Sequence, residues 1–169
     1  MNTTLDSWIS GGGRRRISGS SYELFVRQDG PVDGKPVTLF HGFPASSFDW
    51  ASVMPELTGA GYRVTTLDFL GYGSSDKPYP YTYALMEQAS LVQALWEDLG
   101  IDRTALVAHD YGVSVAQELL SRDAARIESL GSGLPHGAVP HRSDRPDAGL
   151  GHRNPSGPLD GAVRRVEAG

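Results

Sequence analysis

The sequence predicts an α/β fold, a mostly parallel sheet with helices on both faces. Two observations carry this. Strand-like and helix-like segments alternate from about residue 21 to residue 130. The strand-like segments are short apolar runs, as expected for strands buried on both faces by crossover helices. In such sheets ligands and chemistry collect at the carboxyl ends of the strands, and three motifs sit there.

The elements follow in order. Residues 1–16 end in Gly11-Gly12-Gly13-Arg14-Arg15-Arg16 and read as a flexible lead-in, either a solvated tail or a segment attracted to anions or a membrane surface. Residues 21–27 form an early strand, and residues 28–31 the turn after it. Residues 37–40 are a short apolar strand entering His41-Gly42-Phe43-Pro44. Trp50, Val53, Met54 and Leu57 recur at helical spacing, predicting one helix opened by Ser46 or Ser47 and closed near Gly59–Gly61. Residues 62–67 are the next strand. Leu85, Leu91, Val92, Leu95, Trp96 and Leu99 predict a helix over about 84–99. A strand at 105–108, a helix at about 113–120 and a strand from Arg126 to Leu130 complete the series.

Composition bounds the function. The chain is 39% hydrophobic and 21% charged, with 15 basic residues against 20 acidic ones and a net charge of −5. A nucleic-acid binder would show a basic field, so nucleic acid is not expected as a partner. No run approaches the ~18 apolar residues of a membrane span, and the first ten residues lack a signal-peptide pattern. With no cysteine, disulfides and thiolate metal sites are excluded. No cofactor and no metal are expected, and a cytoplasmic protein is the default. Every aromatic residue lies before Gly131, while residues 131–169 are rich in Gly, Pro and Arg. Too few large apolar side chains remain there to offset backbone ordering, so the division expected is a lead-in at 1–16, a core at 17–130 and a loose tail at 131–169.

Ala108-His109-Asp110-Tyr111-Gly112 is the most informative motif. It follows a strand, opens a helix, and places small residues two before and two after Asp110. That pattern suits a sharp turn that lifts one side chain off the sheet. A carboxylate is already ionised at neutral pH, so it can act as a nucleophile without a base to activate it. The plainer alternative makes Asp110 a helix N-cap. His41-Gly42-Phe43-Pro44 reads either as a loop shaped for chemistry or as an ordinary turn. In Asp68-Phe69-Leu70-Gly71-Tyr72-Gly73 the glycines mimic a phosphate loop only superficially. Asp68 and Asp76 read as local hydrogen-bond acceptors rather than metal ligands.

Taken together and in order, these motifs, with Ser75-Asp76-Lys77-Pro78 and Glu87-Gln88-Ala89, resemble the N-terminal half of an α/β-hydrolase from about Tyr22 to Leu130. The resemblance is to the epoxide hydrolase and haloalkane dehalogenase branch, and most of all to hydrolases related to the mesoderm-specific transcript protein. It implies that Asp110 attacks an electrophilic carbon to form an alkyl-enzyme ester. The backbone amides of Phe43 and Tyr111 would form the oxyanion hole, while His41, Gly42 and Pro44 shape its loop. A small apolar epoxide or ester is the implied substrate. Tyr111 and Phe43 stand where haloalkane dehalogenases typically carry Trp and a halide-holding Asn, which favours epoxide over halide chemistry.

The family pattern continues with a helical lid, further strands, an acid and a late His, none of which the residues after Leu130 resemble. That ending reads as frameshifted or truncated. His136, His141 and His152 are not expected to serve as the base, nor Asp144 or Asp147 as the acid. The expectation is therefore an impaired hydrolase, or alternatively a non-catalytic fragment or binding remnant. Self-association through an exposed sheet edge at residues 127–130 is expected, with Leu106, Val107 and Leu130 losing part of their cover.

Overall fold

The computed structural model describes residues 3–132. The chain runs α1 (Leu5–Ser10), β1 (Gly13–Arg16), β2 (Glu23–Asp29), β3 (Lys35–Phe40), α2 (Met54–Gly59), β4 (Tyr62–Leu67), α3 (Leu85–Asp98), β5 (Thr104–Ala108), α4 (Tyr111–Arg122) and β6 (Ile127–Ser132). The six strands form one sheet in the order β1-β2-β4-β3-β5-β6. β4, β3, β5 and β6 are parallel, and β1 and β2 run antiparallel to their neighbours. The expected mixed, mostly parallel sheet is present.

The period-two geometry of a strand divides the core in two. Phe40, Leu67, Leu106 and Ala108 face α3 and α4, where Leu91, Val92, Leu95, Trp96, Val115 and Leu119 cover them. Val37, Leu39, Val64 and Val107 face the other way, under Trp8 of α1, Trp50, and Met54 and Leu57 of α2. Polar groups inside the first layer are paired. Trp96 Nε1 donates to Thr38 Oγ1 at 3.2 Å, and Thr38 and Thr104 share a hydrogen bond of 3.1 Å.

Three expectations change. Residues 5–16 are not a lead-in without secondary structure but a helix and an edge strand. Thr4 and Ser7 form a capping box, and buried Trp8 donates from Nε1 to Ser47 Oγ at 3.1 Å. The Arg27 guanidinium lies 4.4 Å from the centre of the Trp8 ring. Arg14 pairs with Glu23 and Asp76, so the arginine run becomes a charged sheet edge that discourages pairing with another chain. The single helix expected from Ser46 is split into a 3-10 turn (Ser47–Trp50), capped by Ser46, and α2. Pro55 lacks an N–H and is tolerated only in the first helical turn, which restarts the helix beside it. Finally, Leu106 and Val107 keep their cover at 1% and 5% exposure, with Leu130 half-buried. β6 runs through Ser132, two residues into the expected tail; residues 133–169, including His136, His141, Asp144, Asp147 and His152, lie outside the described residues.

Candidate active site

β3, β4 and β5 end side by side, and the loops leaving them meet over their carboxyl ends. β3 leads into His41–Pro44, β4 into Asp68–Gly73, and β5 into His109 and Asp110. Asp110 has φ 47° and ψ −117°, the only positive φ among the described non-glycine residues. An ordinary N-cap is extended, so this backbone is not that of a simple cap. A residue held in such a region is strained by about 1–3 kcal/mol, and the surroundings must impose it. Glycines make room for it. A Cβ on Gly42 would stand 2.7 Å from Asp110 Cβ, and one on Gly112 would stand 2.7 Å from the His41 carbonyl oxygen.

The carboxylate is held by one oxygen. Oδ1 accepts from the Phe43 N–H at 2.8 Å and from the Tyr111 N–H at 2.6 Å. Oδ2 has no hydrogen-bond partner among the described residues. The Phe43 amide, followed by that of Tyr111, holds the Asp110 carboxyl below its ordinary range. The structure thus brings Asp110, Phe43 and Tyr111 together. Around them, Tyr72 lies 6.0 Å from Tyr111 and 6.3 Å from Phe43, centre to centre, and Phe69 lies 5.8 Å from Tyr111. Burial pushes the Tyr72 hydroxyl up, and nearby Asp110 adds to it. Phe43 itself is 66% exposed.

His41 is fully buried and uses both ring nitrogens. Nδ1 lies 2.8 Å from the Gly42 carbonyl, and Nε2 accepts from the Phe69 N–H at 3.0 Å, which fixes a neutral ring protonated on Nδ1. It ties its own loop to the one after β4. Pro44 follows Phe43 through a cis peptide. The second described histidine, His109, has a buried Nδ1 without a hydrogen-bond partner, packed against Gly42. Asp68 accepts from the Ser47 N–H at 2.6 Å and the Ser74 N–H at 2.7 Å, and Asp76 from the Glu23 N–H at 2.8 Å, so both are acceptors as expected, but Ser47 and Glu23 are distant in sequence rather than local. Among the described residues no group of His, Asp and Glu could hold a metal ion, and no helix is long and apolar enough to cross a membrane.

Burial lowers the His41 pKa from its ordinary 6.5, because the charged ring would lose its hydration. The unfolded chain therefore binds this proton more readily than the folded one. The His41 contribution is complete above that ordinary value and is lost as pH falls below it. Melting temperatures should accordingly fall between about pH 7.5 and about pH 5.5, and the fall should be smaller in His41→Gln. Equal slopes in the two proteins would contradict the buried neutral ring.

The profile described as alpha/beta hydrolase fold matches residues 35–135. The chain belongs to the α/β-hydrolase fold family. Among its relatives, the mesoderm-specific transcript homolog protein of Bos taurus is 45% identical over 126 residues, which are 72% of this chain and 37% of that protein. A haloalkane dehalogenase variant from Bradyrhizobium elkanii superposes with a TM-score of 0.66 at 31% identity, covering 72% of this chain and 39% of the other. Epoxide Hydrolase A from Mycobacterium thermoresistibile gives 0.65 at 26% identity, covering 72% and 38%. The chain therefore spans less than half the length of each α/β-hydrolase it matches here.

Proposed function

We propose that Asp110 is the nucleophile of a hydrolase acting through an alkyl-enzyme ester, with an epoxide as the substrate class. One observation carries this reading: two backbone amides hold Oδ1 while Oδ2 is left unbonded. In the first step an Oδ2 lone pair attacks an epoxide carbon. The C–O bond of the ring breaks, and its oxygen, still attached to the other ring carbon, becomes an alkoxide that takes a proton from solvent water. The ester so formed has Oδ1 as its carbonyl oxygen. When water attacks Cγ, charge develops on Oδ1, where the Phe43 and Tyr111 amides already point. A donor of this kind typically contributes about 2.7–4 kcal/mol to the transition state. The similarity to an epoxide hydrolase supports the same reading.

The second step needs a general base to take the proton from water. His41 is not available, since both nitrogens are engaged in the core. His109 packs its Nδ1 against Gly42. The described residues therefore favour ester formation without efficient hydrolysis. Incubation with a small epoxide such as styrene oxide should add one persistent adduct to the intact mass, lost in Asp110→Ala. Because the carboxyl is held below its ordinary 3.8, labelling should not slow until pH drops below that value. Steady production of the diol would show that a base is present after all. Absence of any adduct would count against Asp110 as the nucleophile.

A further inference from the structure

Gln88 lies on the buried side of α3, 1% exposed, and gives its whole side-chain amide to one residue. Oε1 accepts from the Leu70 N–H at 3.0 Å, and Nε2 donates to the Leu70 carbonyl at 2.8 Å. Two bonds to one residue fix the loop after β4 in both position and rotation. A buried amide costs desolvation that an apolar side chain of the same size would not. Its partner is a loop rather than the helix that carries it.

The clamped loop leads to the carboxylate in three more bonds. Leu70 follows Phe69, whose N–H donates to His41 Nε2 at 3.0 Å. His41 Nδ1 donates to the Gly42 carbonyl at 2.8 Å. The next amide, that of Phe43, donates to Asp110 Oδ1 at 2.8 Å. We propose that Gln88 is a positioning residue, holding the Phe43 amide on Asp110 through Leu70, Phe69 and His41. Its catalytic consequence rests on the reading of Asp110 given above; its structural consequence does not.

Gln88→Glu tests this within one folded variant. When neutral, the introduced carboxyl accepts from the Leu70 N–H and donates to the Leu70 carbonyl, reproducing both bonds. When ionised it can only accept, and it faces that carbonyl oxygen with negative charge. Burial raises its titration from the ordinary Glu value of about 4.3. In the full chain labelled with nitrogen-15, the Phe43 amide proton reports its bond to the Asp110 carboxylate. That carboxylate stays ionised across the titration, because its amides hold it low.

The Phe43 resonance of Gln88→Glu should match wild type at about pH 5 and move upfield reversibly as the carboxyl ionises. Wild type, which carries the same His41, His109, Tyr72 and Tyr111, should not follow. Gln88→Met should be upfield at every pH. Labelling by styrene oxide should slow about tenfold in the same step, since the Phe43 amide fixes where Oδ2 points and small displacements of a reacting group cost rate steeply. A Phe43 resonance that is the same in all three proteins overturns the proposal. So does a shift that appears only together with loss of near-ultraviolet circular dichroism. If the shift appears but wild type is never labelled, the nucleophile reading fails and the Gln88 clamp stands.

Discussion

Gly112→Ala is expected to destabilise the fold by about 2–3 kcal/mol and to suppress labelling of Asp110. In an ordinary helix the same change stabilises by up to about 1 kcal/mol, because glycine has more backbone entropy to lose. Here the sign reverses. The added Cβ would stand 2.7 Å from the His41 carbonyl oxygen, 2.7 Å from Phe40 Cβ and 2.9 Å from the Phe40 carbonyl oxygen. Those atoms belong to β3 and the residue after it, and their backbone cannot step aside as the end of a flexible side chain could. α4 would have to back away, taking the Tyr111 amide from Oδ1. Urea unfolding reads the stability loss, and intact-mass labelling reads the displaced amide. A neutral or stabilising Gly112→Ala would mean that the close packing of helix on strand is not needed.

Asp68→Ala is expected to cost more, about 3–5 kcal/mol, a large share of a typical domain's stability of about 5–15 kcal/mol. The carboxylate is 3% exposed and bridges two loops through the Ser47 and Ser74 amides. Removing it leaves one buried and one half-buried donor without an acceptor, and a buried one costs about 1–3 kcal/mol. Gly73 shows how tightly the bridge is enclosed, since a Cβ there would lie 1.9 Å from Asp68 Oδ2. Asp68→Asn should recover part of the loss, because the amide oxygen still accepts from one N–H. Chemical denaturation of the three proteins gives the order wild type, Asn, Ala; an Ala variant as stable as wild type would remove the bridge from the account.

Much of this architecture was legible in the chain because local pattern and tertiary position agree. β4 occupies 62–67, where a strand was expected, and α3 falls within one residue of the periodic segment at 84–99. The turn at Asp110 was legible because close packing leaves a compositional trace, small residues on both sides of one polar residue. The N-terminal helix and strand were not. Thr4 and Ser7 form too short a capping signal, and Trp8 becomes a core residue only through partners distant in sequence, among them Ser47 and Arg27, 39 and 19 positions away. The break before α2 could have been read from Pro55, which limits how far a helix can extend upstream of it. Asp68 was read as an acceptor, but its partners are backbone amides, which every residue carries and no sequence pattern marks. The pairing of Gln88 with Leu70 was invisible for the same reason.

Peptide-level mass spectrometry of the epoxide-treated full chain tests the nucleophile most directly. Fragment ions should place the added mass on Asp110 within the segment that joins β5 to α4. The Asp110→Ala protein should carry no label on that segment under the same conditions. An adduct on His109, on Glu118 or on any residue other than Asp110, with Asp110 unmodified, would contradict the account.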